Sequence, residues 1–472
     1  MTTIAPPRLT PAGSAAHRTR LRRRSEAWSA GAIVVVWLTA LFVLALWVDG
    51  GGIDAVLGGG ASAVSALGRL SGLVASDLLL LQVLLMARVP LFERGFGRDG
   101  MVRMHRLVGF WSFSLMLVHI VLIVAGYAMA AGIDPISQLV QFVRDYPGVL
   151  LAAAGTVLVV LVALTSLRRA RRRLRYESWH LLHLYGYLGA GLALPHQLWA
   201  GADFSASVGA TWFWWTFWGL TAAAVIAYRI VLPLARSAHH RLRVVAVEPD
   251  GDSGVAIRMR GEGLSALRVR PGQFFVWRFL DGPGWTRGHP FSLSAAPVGD
   301  ELTVSARIVG DGTRRLAALR PGVRVLVEGP YGRMTGDERR ASRLLLLGAG
   351  AGVAPLISLL EGEEYRPGEA TIVTRDSARG SALRGQALRR LVDERGVRHI
   401  ALDGPRARTG SPWLPGTHAA WSGADVIRFL APDVEDHDVF VCGPPDWMAA
   451  VVRDLRDAGI SGVRIHTESF SV

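Results

Sequence analysis

Two apolar stretches of this chain each carry a pair of histidines: His105 and His119 bound "HRLVGFWSFSLMLVH" at 105–119, and His183 and His196 lie within "WHLLHLYGYLGAGLALPHQLW" at 179–199. An ionisable ring in such a segment is costly to bury without a partner, so it is read first as a functional candidate. Fourteen steps of about 100° end about 40° short of four turns and rise about 21 Å, so His105 and His119 project from nearly one helix face. Thirteen steps leave His183 and His196 about 140° apart on an ideal helix, so the second helix must deviate locally. Pro195 supplies a cause, because it removes a backbone hydrogen bond just before His196. Two helices, each with an inner and an outer imidazole, can clamp two stacked planar metal cofactors through the axial pairs His105–His183 and His119–His196, and haem is the natural candidate. One such histidine alone is explained as well by a hydrogen bond to a neighbouring helix; four at matching depth are not. His180 has a longer reach and reads as a supporting or interfacial residue.

The elements that must hold these rings are six apolar segments, at 28–48, 70–90, 105–131, 148–167, 179–199 and 211–232. Each has roughly the 20 residues a helix needs to cross a bilayer. The loops between them alternate in charge. One set carries "HRTRLRRR" at 17–24, "ERGFGRDGMVRMHR" at 93–106, "RRARRRLR" at 168–175 and the run 236–243, whereas the other contains only Arg69 and Arg144. The positive-inside rule then puts both termini and the basic loops of a multi-pass membrane protein in the cytoplasm. The first segment lacks a cleavage-type small-x-small site and reads as a span. The formal charge of +14 is thereby used on the membrane side, and nucleic acid drops out as a partner. All 52 basic residues counted as Lys or Arg are arginine, so no single arginine proves phosphate recognition. Cys442 is the lone cysteine, which excludes an internal disulfide and any multi-cysteine zinc or iron–sulfur site.

Beyond Arg241 the pattern becomes that of a soluble protein. "RLRVVAVEP", "GVAIRMRG", "GQFFVWRFL", "FSLSAAP", "ELTVSARIVG" and "RVLVEGPYG" alternate between Gly, Pro and Asp turns, as in a small antiparallel β-barrel. From about Ser342 the order becomes strand, loop, helix, which predicts an α/β domain with a parallel sheet. Its ligand lies beyond the carboxyl ends of the strands, where "GAGAGVAP" and "CGPPD" fall. Gly348, Gly350 and Gly352 would let the backbone approach a pyrophosphate. The spacing is G-x-G-x-G-x-x-P instead of the usual G-x-G-x-x-G, so alone it is equally a tight strand-to-helix turn.

The stretches "ARVPLFERGFG" leading to "MHR", the two histidine pairs, "GHPFSLSAAP", "RIVGDGTRRL", "EGPYG", "LLGAGAGVAP", "VFVCGPP" and the terminal "ESF" occur in one order. In that order the chain resembles the bacterial branch of the NADPH oxidase and ferric reductase superfamily. The resemblance implies a disordered basic tail at 1–27 and a six-helix transmembrane di-haem bundle at 28–235. An antiparallel β-barrel FAD domain at 241–337 and an α/β NAD(P)H-binding domain at 342–472 follow.

Site roles come from the same resemblance. His289, Pro290, Phe291 and Ser292 would line FAD, with Phe291 along the flavin and the Ser292 hydroxyl near the ring nitrogen that accepts hydride. Arg307 and Thr313 would meet the FAD pyrophosphate. Gly348, Gly350, Gly352 and Pro355 would hold the nicotinamide cofactor's phosphates, and Cys442, Gly443 and Pro444 would border its ring. Phe470 would cover the flavin until nicotinamide displaces it, with Glu468 nearby. Arg375 resembles the position that reads the ribose phosphate of NADPH and favours it over NADH. Arg69 matches an arginine near the outer haem, and as a solvated helix end it has an equally plain explanation. Trp111 stands midway between His105 and His119, either between the haems or as packing. Ala354 replaces the family's common threonine, so that hydroxyl contact is absent.

The function implied is transfer of electrons from cytoplasmic NADPH through FAD and two b-type haems to a small one-electron acceptor outside, with dioxygen favoured slightly over a ferric chelate. Two other readings stand beside it: a membrane-anchored flavin reductase serving a soluble partner, and a haem subunit passing electrons to quinone or another protein.

Overall fold

Runs rich in Leu, Val and Ala fold the first part of the chain into helices: α1 (Ala15–Asp49), α2 (Gly60–Met86), α3 (Pro90–Ala131), α4 (Pro135–Asp145), α5 (Val149–Ser166), α6 (Tyr176–Trp199), α7 (Val208–Ile226) and α8 (Leu232–His240). The computed structural model describes residues 15–171, 173–174, 176–205, 207–282, 284–377, 382–433 and 436–469, and the calls on Phe470 and on most of the N-terminal tail lie outside them. Two compact units result, Ala27–Phe96 with Gly100–Arg229, and the chain from Ile230 onward.

In the first unit five helices are long and apolar enough to cross a membrane: Glu26–Asp49, Gly60–Met86, Gly100–Ala131, Val149–Ser166 and Val208–His240. The 24-residue α6 is long enough, but its histidines, glycines and Pro195 make it less apolar than these five. Of the five, α2 buries the most of its span, 44%, against 6% for 100–131 and for α5. The outer helices therefore turn leucine, valine and tryptophan outward, the inverse of a water-soluble core. Two local devices fix the chain path. Gly97 takes a left-handed φ of 65°, which breaks α3 between its loop part and its span. At the other end of that span, Asp134 accepts hydrogen bonds from Ile136 N and Ser137 N and caps α4.

α5 and α6 cross through glycine. A Cβ on Gly155 would stand 2.6 Å from the Gly189 carbonyl oxygen, so the two backbones touch with no side chain between them.

The second unit begins with two three-stranded antiparallel sheets, ordered β1–β2–β5 and β4–β3–β6. Their strands are β1 (Arg243–Pro249), β2 (Gly254–Arg260), β3 (Phe274–Phe279), β4 (His289–Ser292), β5 (Glu301–Arg307) and β6 (Val325–Tyr331), with α9 (Asp311–Ala317) between the last two. Alternate residues of both sheets point inward, and Ile257, Met259, Phe275, Trp277, Leu293 and Val304 share one core. Single bridges at Leu293–Val304 and Arg243–Arg324 join the sheets.

A parallel five-stranded sheet follows, in the order β11–β10–β7–β8–β9. It comprises β7 (Arg343–Ala349), α10 (Val353–Gly362), β8 (Ala370–Asp376), α11 (Gly385–Arg395), β9 (Arg398–Asp403), α12 (Gly423–Leu430), β10 (His437–Gly443), α13 (Pro445–Asp457) and β11 (Ile465–Ser469). Leu344 to Leu347 have no exposed surface, because apolar clusters cover both faces of β7. That explains why this strand reads as a continuous hydrophobic run.

Candidate functional site

α3 and α6 bring the four histidines together in two pairs. The rings of His105 and His183 lie 5.9 Å apart between centroids, with planes at 65°. His119 and His196 are likewise electrostatic neighbours. Each ring is oriented through Nδ1: His105 on the Gln82 carbonyl at 3.2 Å, His119 on the Gly68 carbonyl at 2.8 Å, and His196 on the Ala193 carbonyl at 2.5 Å. The Nδ1 of His183 meets the Ser166 hydroxyl at 3.3 Å. A carbonyl oxygen only accepts, so Nδ1 carries the proton in the first three rings and Nε2 keeps its lone pair. Two imidazoles sharing one metal through Nε2 stand with ring centres roughly 6 Å apart, given metal–nitrogen bonds of about 2 Å. The His105–His183 spacing fits this. Among the described residues no group of three or more His, Cys, Asp or Glu forms a metal cluster. Paired donors suit a metal whose other ligands come from a macrocycle, so the residues fit haem.

The surroundings of the rings are specific. A Cβ on Gly72 would overlap the ring of His119, so glycine is required for that ring to lie against α2. Trp179 packs on His183 at 5.0 Å, and Arg171 covers Trp179 at 4.4 Å. His180 belongs to the electrostatic surroundings of His183. Trp111 is half-exposed with its ring edge-on to Phe110, and among the described residues it makes no ring contact with the four histidines. Arg69 is neither a free cation nor a solvated helix end. It grips Asp203 at 2.8 and 2.6 Å and donates to the Gly50 carbonyl at 3.0 Å. Nothing in the sequence pattern pointed to Asp203, which is 134 positions away.

In the second unit β4 sets His289 and Phe291 on one face, stacked at 6.0 Å with planes 2° apart. The Ser292 hydroxyl is buried and makes no hydrogen bond among the described residues, the state expected of a group reserved for a ligand. Burial and the nearby Arg287 cation hold the His289 imidazole below its ordinary pKa. A cleft runs beside it between Phe279, Arg287, Gly312 and Arg315. Arg287 and Arg315 line the cleft together with Asp281, which pairs with Arg315 at 2.7 and 2.8 Å. Arg307 is committed to an ion pair with Asp376. The Thr313 hydroxyl accepts from Val309 N and Gly310 N and donates to the Gly310 carbonyl, closing its own turn. The pyrophosphate roles of Arg307 and Thr313 rest on the resemblance, and in this structure both side chains are engaged within the protein.

At the carboxyl edge of the parallel sheet Gly348, Cys442 and Glu468 stand side by side on β7, β10 and β11. The Cys442 thiol donates to the Glu468 carbonyl at 3.4 Å. Gly350 has a left-handed φ of 58°, and a Cβ on Gly352 would strike the Cys442 carbonyl, so the loop before α10 rests directly on the turn before α13. Pro355 is buried in α10, Gly443 packs against Trp447 and Ala349, and Pro444 precedes α13. Two helix N-termini thus open on one edge, a geometry that receives phosphates. Arg375 is not among the groups facing it. Its guanidinium lies inside, donating to the carbonyls of Trp413 (3.1 Å), Leu402 (3.1 Å) and Asp376, and its ribose-phosphate role rests on the resemblance alone.

A helical unit of transmembrane type is joined to a module of two antiparallel sheets and a parallel α/β sheet. Residues 71–194 match the family described as ferric reductase like transmembrane component. Part of the chain is 31% identical over 220 residues to a probable dihydroorotate dehydrogenase B (NAD(+)) electron transfer subunit of Methanopyrus kandleri, covering 45% of this chain and 73% of that protein. It is also 29% identical over 185 residues to respiratory burst oxidase homolog protein E of Arabidopsis thaliana, covering 32% of this chain and 18% of that one. Among solved structures, the flavohem-like FAD/NAD binding domain of nitric oxide dioxygenase from Vibrio cholerae aligns at a TM-score of 0.38 and 20% identity, over 49% of this chain and 99% of that domain. The chain spans about two thirds of the length of the first curated relatives it matches. The combination, a segment matching a ferric-reductase-type membrane component followed by a region similar to NAD-linked electron transfer subunits, matches a ferric reductase-like and NADPH oxidase-like fusion.

Proposed function

We propose that this chain is a six-span oxidoreductase of the bacterial inner membrane that oxidises NAD(P)H in the cytoplasm and reduces a one-electron acceptor on the opposite side. α6 is the sixth span, its histidines lying inside the bundle where they cost no contact with lipid. His105 with His183 and His119 with His196 would hold two b-type haems, and the β4 face from His289 to Ser292 would hold FAD. Bound, these groups convert a two-electron hydride donor into single electrons carried through the lipid.

The chain's own residues prepare each site. Gln82, Gly68 and Ala193 fix imidazole tautomers by accepting from Nδ1, which leaves Nε2 for iron. Phe291 and His289 offer a flat stacked surface, and the Ser292 hydroxyl offers an uncommitted donor to a flavin ring atom. Cys442 and Glu468 border the nicotinamide at the sheet edge. Dioxygen is favoured over an anionic ferric chelate because the outer cation, Arg69, is neutralised by Asp203. The observation that carries the reading is the pairing of four histidines from two helices, each held at Nδ1. The test is the reduced-minus-oxidised spectrum of the purified chain, which should show bis-histidine haem, with His119→Ala losing about half the Soret absorbance, and NAD(P)H-driven superoxide formation faster than ferric-chelate reduction. A protein that forms flavin but no haem would sink it.

A further inference from the structure

α4 has three sides of different character. With steps of about 100°, Ile136, Leu139, Val140 and Val143 fall within an arc of about 100°, and Ser137, Gln141, Arg144 and Asp145 fill a second arc of similar width. Gln138 and Phe142 form the third side, and they are the buried ones. Phe142 is clasped edge-on by Tyr127 of α3 at 5.2 Å and by Tyr146 at 5.0 Å, which holds the helix to the bundle by that side. The polar arc is exposed. So is most of the apolar arc: Ile136 has 75% of its surface exposed, and Leu139 and Val140 are exposed as well. An apolar stripe of this kind is costly to leave in water.

The chain on either side of α4 identifies what covers the stripe. The spans Gly100–Ala131 before it and Val149–Ser166 after it each bury only 6% of their apolar stretch, and Ile133 and Leu150, which flank the helix, are exposed apolar residues too. The stripe thus continues two lipid-facing spans, the polar arc beside it suits water, and Tyr127 and Tyr146 supply the amphipathic rings typical of the boundary. The helix also leads directly into the support of a histidine. Gly148, in the turn that follows, has a left-handed φ of 81°, and a Cβ there would stand 2.7 Å from His196 N and 2.9 Å from His196 Cα, so this turn lies bare against the backbone of His196. We infer that α4 is an interfacial helix seated in the headgroup boundary of the bilayer, its apolar arc on lipid acyl chains, and that this seat braces the turn of α6 bearing His196. This rests on the reading of the first unit as membrane-spanning and is independent of haem.

The test uses the full-length chain in phosphatidylcholine vesicles, with a fluorescent thiol label on Ile136→Cys, Gln141→Cys or Val157→Cys; the native Cys442 is buried. Acyl chains brominated near the headgroup should quench the Ile136 label severalfold more than the Gln141 label, and aqueous iodide should do the reverse. Val157, exposed in the middle of α5, should be quenched by bromines near the chain terminus. An Ile136 label reached by iodide, or shielded from both quenchers as a second copy of the chain would shield it, overturns the lipid seat. If the Val157 label is still quenched by bromolipid the membrane reading stands, and if it is not, that reading falls as well. For the brace, Ile136→Asp with Val140→Asp should speed backbone hydrogen exchange at 193–199 severalfold and leave β7 unchanged. Should that pair fail to insert, Val140→Ser is the milder change on the same arc and should act in the same direction. Exchange at 193–199 unmoved in an inserted variant overturns the brace.

Discussion

The Nδ1 of His119 donates to the Gly68 carbonyl at 2.8 Å, and the ring lies where any side chain on Gly72 would have to be. One turn of α2 therefore supplies both the acceptor that orients the imidazole and the gap that admits it. Gly72→Ala should expel the ring from this seat and reduce bound haem by about half while the inner pair persists. Gly191→Ala, whose added methyl meets nothing within 4 Å, is the matched control and should retain full absorbance. Pyridine haemochrome content per polypeptide reads both.

Asp203 holds Arg69 through two bonds, and Asp203→Asn would leave an uncompensated cation at that point of the helical unit. We expect reduction of ferric citrate, an anion, to rise severalfold relative to reduction of dioxygen. The pair is partly exposed, so thermal stability should fall by only about 1 kcal/mol. An unchanged acceptor ratio would separate Arg69 from acceptor choice.

Three imidazoles of the second unit, His289, His399 and His437, are held below the ordinary value of 6.5, in each case chiefly by burial. Between that value and the lowered one the unfolded chain binds more protons than the fold. Stability is therefore complete above about pH 6.5 and is lost as pH falls through that window. The unfolding temperature followed by flavin fluorescence should drop on acidification, and His399→Gln with His437→Gln should flatten the slope. A rise on acidification would contradict the assignment.

Arg375→Ala should behave as a core substitution. Three carbonyls lose their donor beneath the sheet, a cost of about 2–4 kcal/mol, and the loop carrying Trp413 should become protease-sensitive. Limited proteolysis against wild type checks this.

What the sequence made legible was periodic or local. The apolar runs anticipated the helices, and strand alternation anticipated the sheets, because side-chain period is fixed at two; constant helix pitch set His105 and His119 on one face but left His183 and His196 about 140° apart, so their shared direction was not legible from pitch. Side-chain direction at strand ends was not legible. Arg375 and Asp376 are adjacent and both polar, and only the fold decides that one turns to three carbonyls and the other to Arg307. Long-range partners were equally hidden: Arg69 with Asp203 and Arg307 with Asp376 join residues 134 and 69 positions apart, with no local signal in either stretch. The turn that the Thr313 hydroxyl closes on the Gly310 carbonyl, three residues away, was likewise not anticipated.

The contact of Gly155 with Gly189 has a mechanical consequence. Where two helices meet only through interdigitating side chains, a rotamer change can slide one past the other; here backbone meets backbone at Gly155 and Gly189, flanked by Leu158, Val159 and Leu192, so the closest point of the crossing has no side chain to rearrange. α6 is pinned between His183 and His196, so the height of the two imidazoles along it behaves as a rigid ruler. Mutations on its lipid-facing side can alter solubility or insertion, but they have no lever with which to reset that spacing.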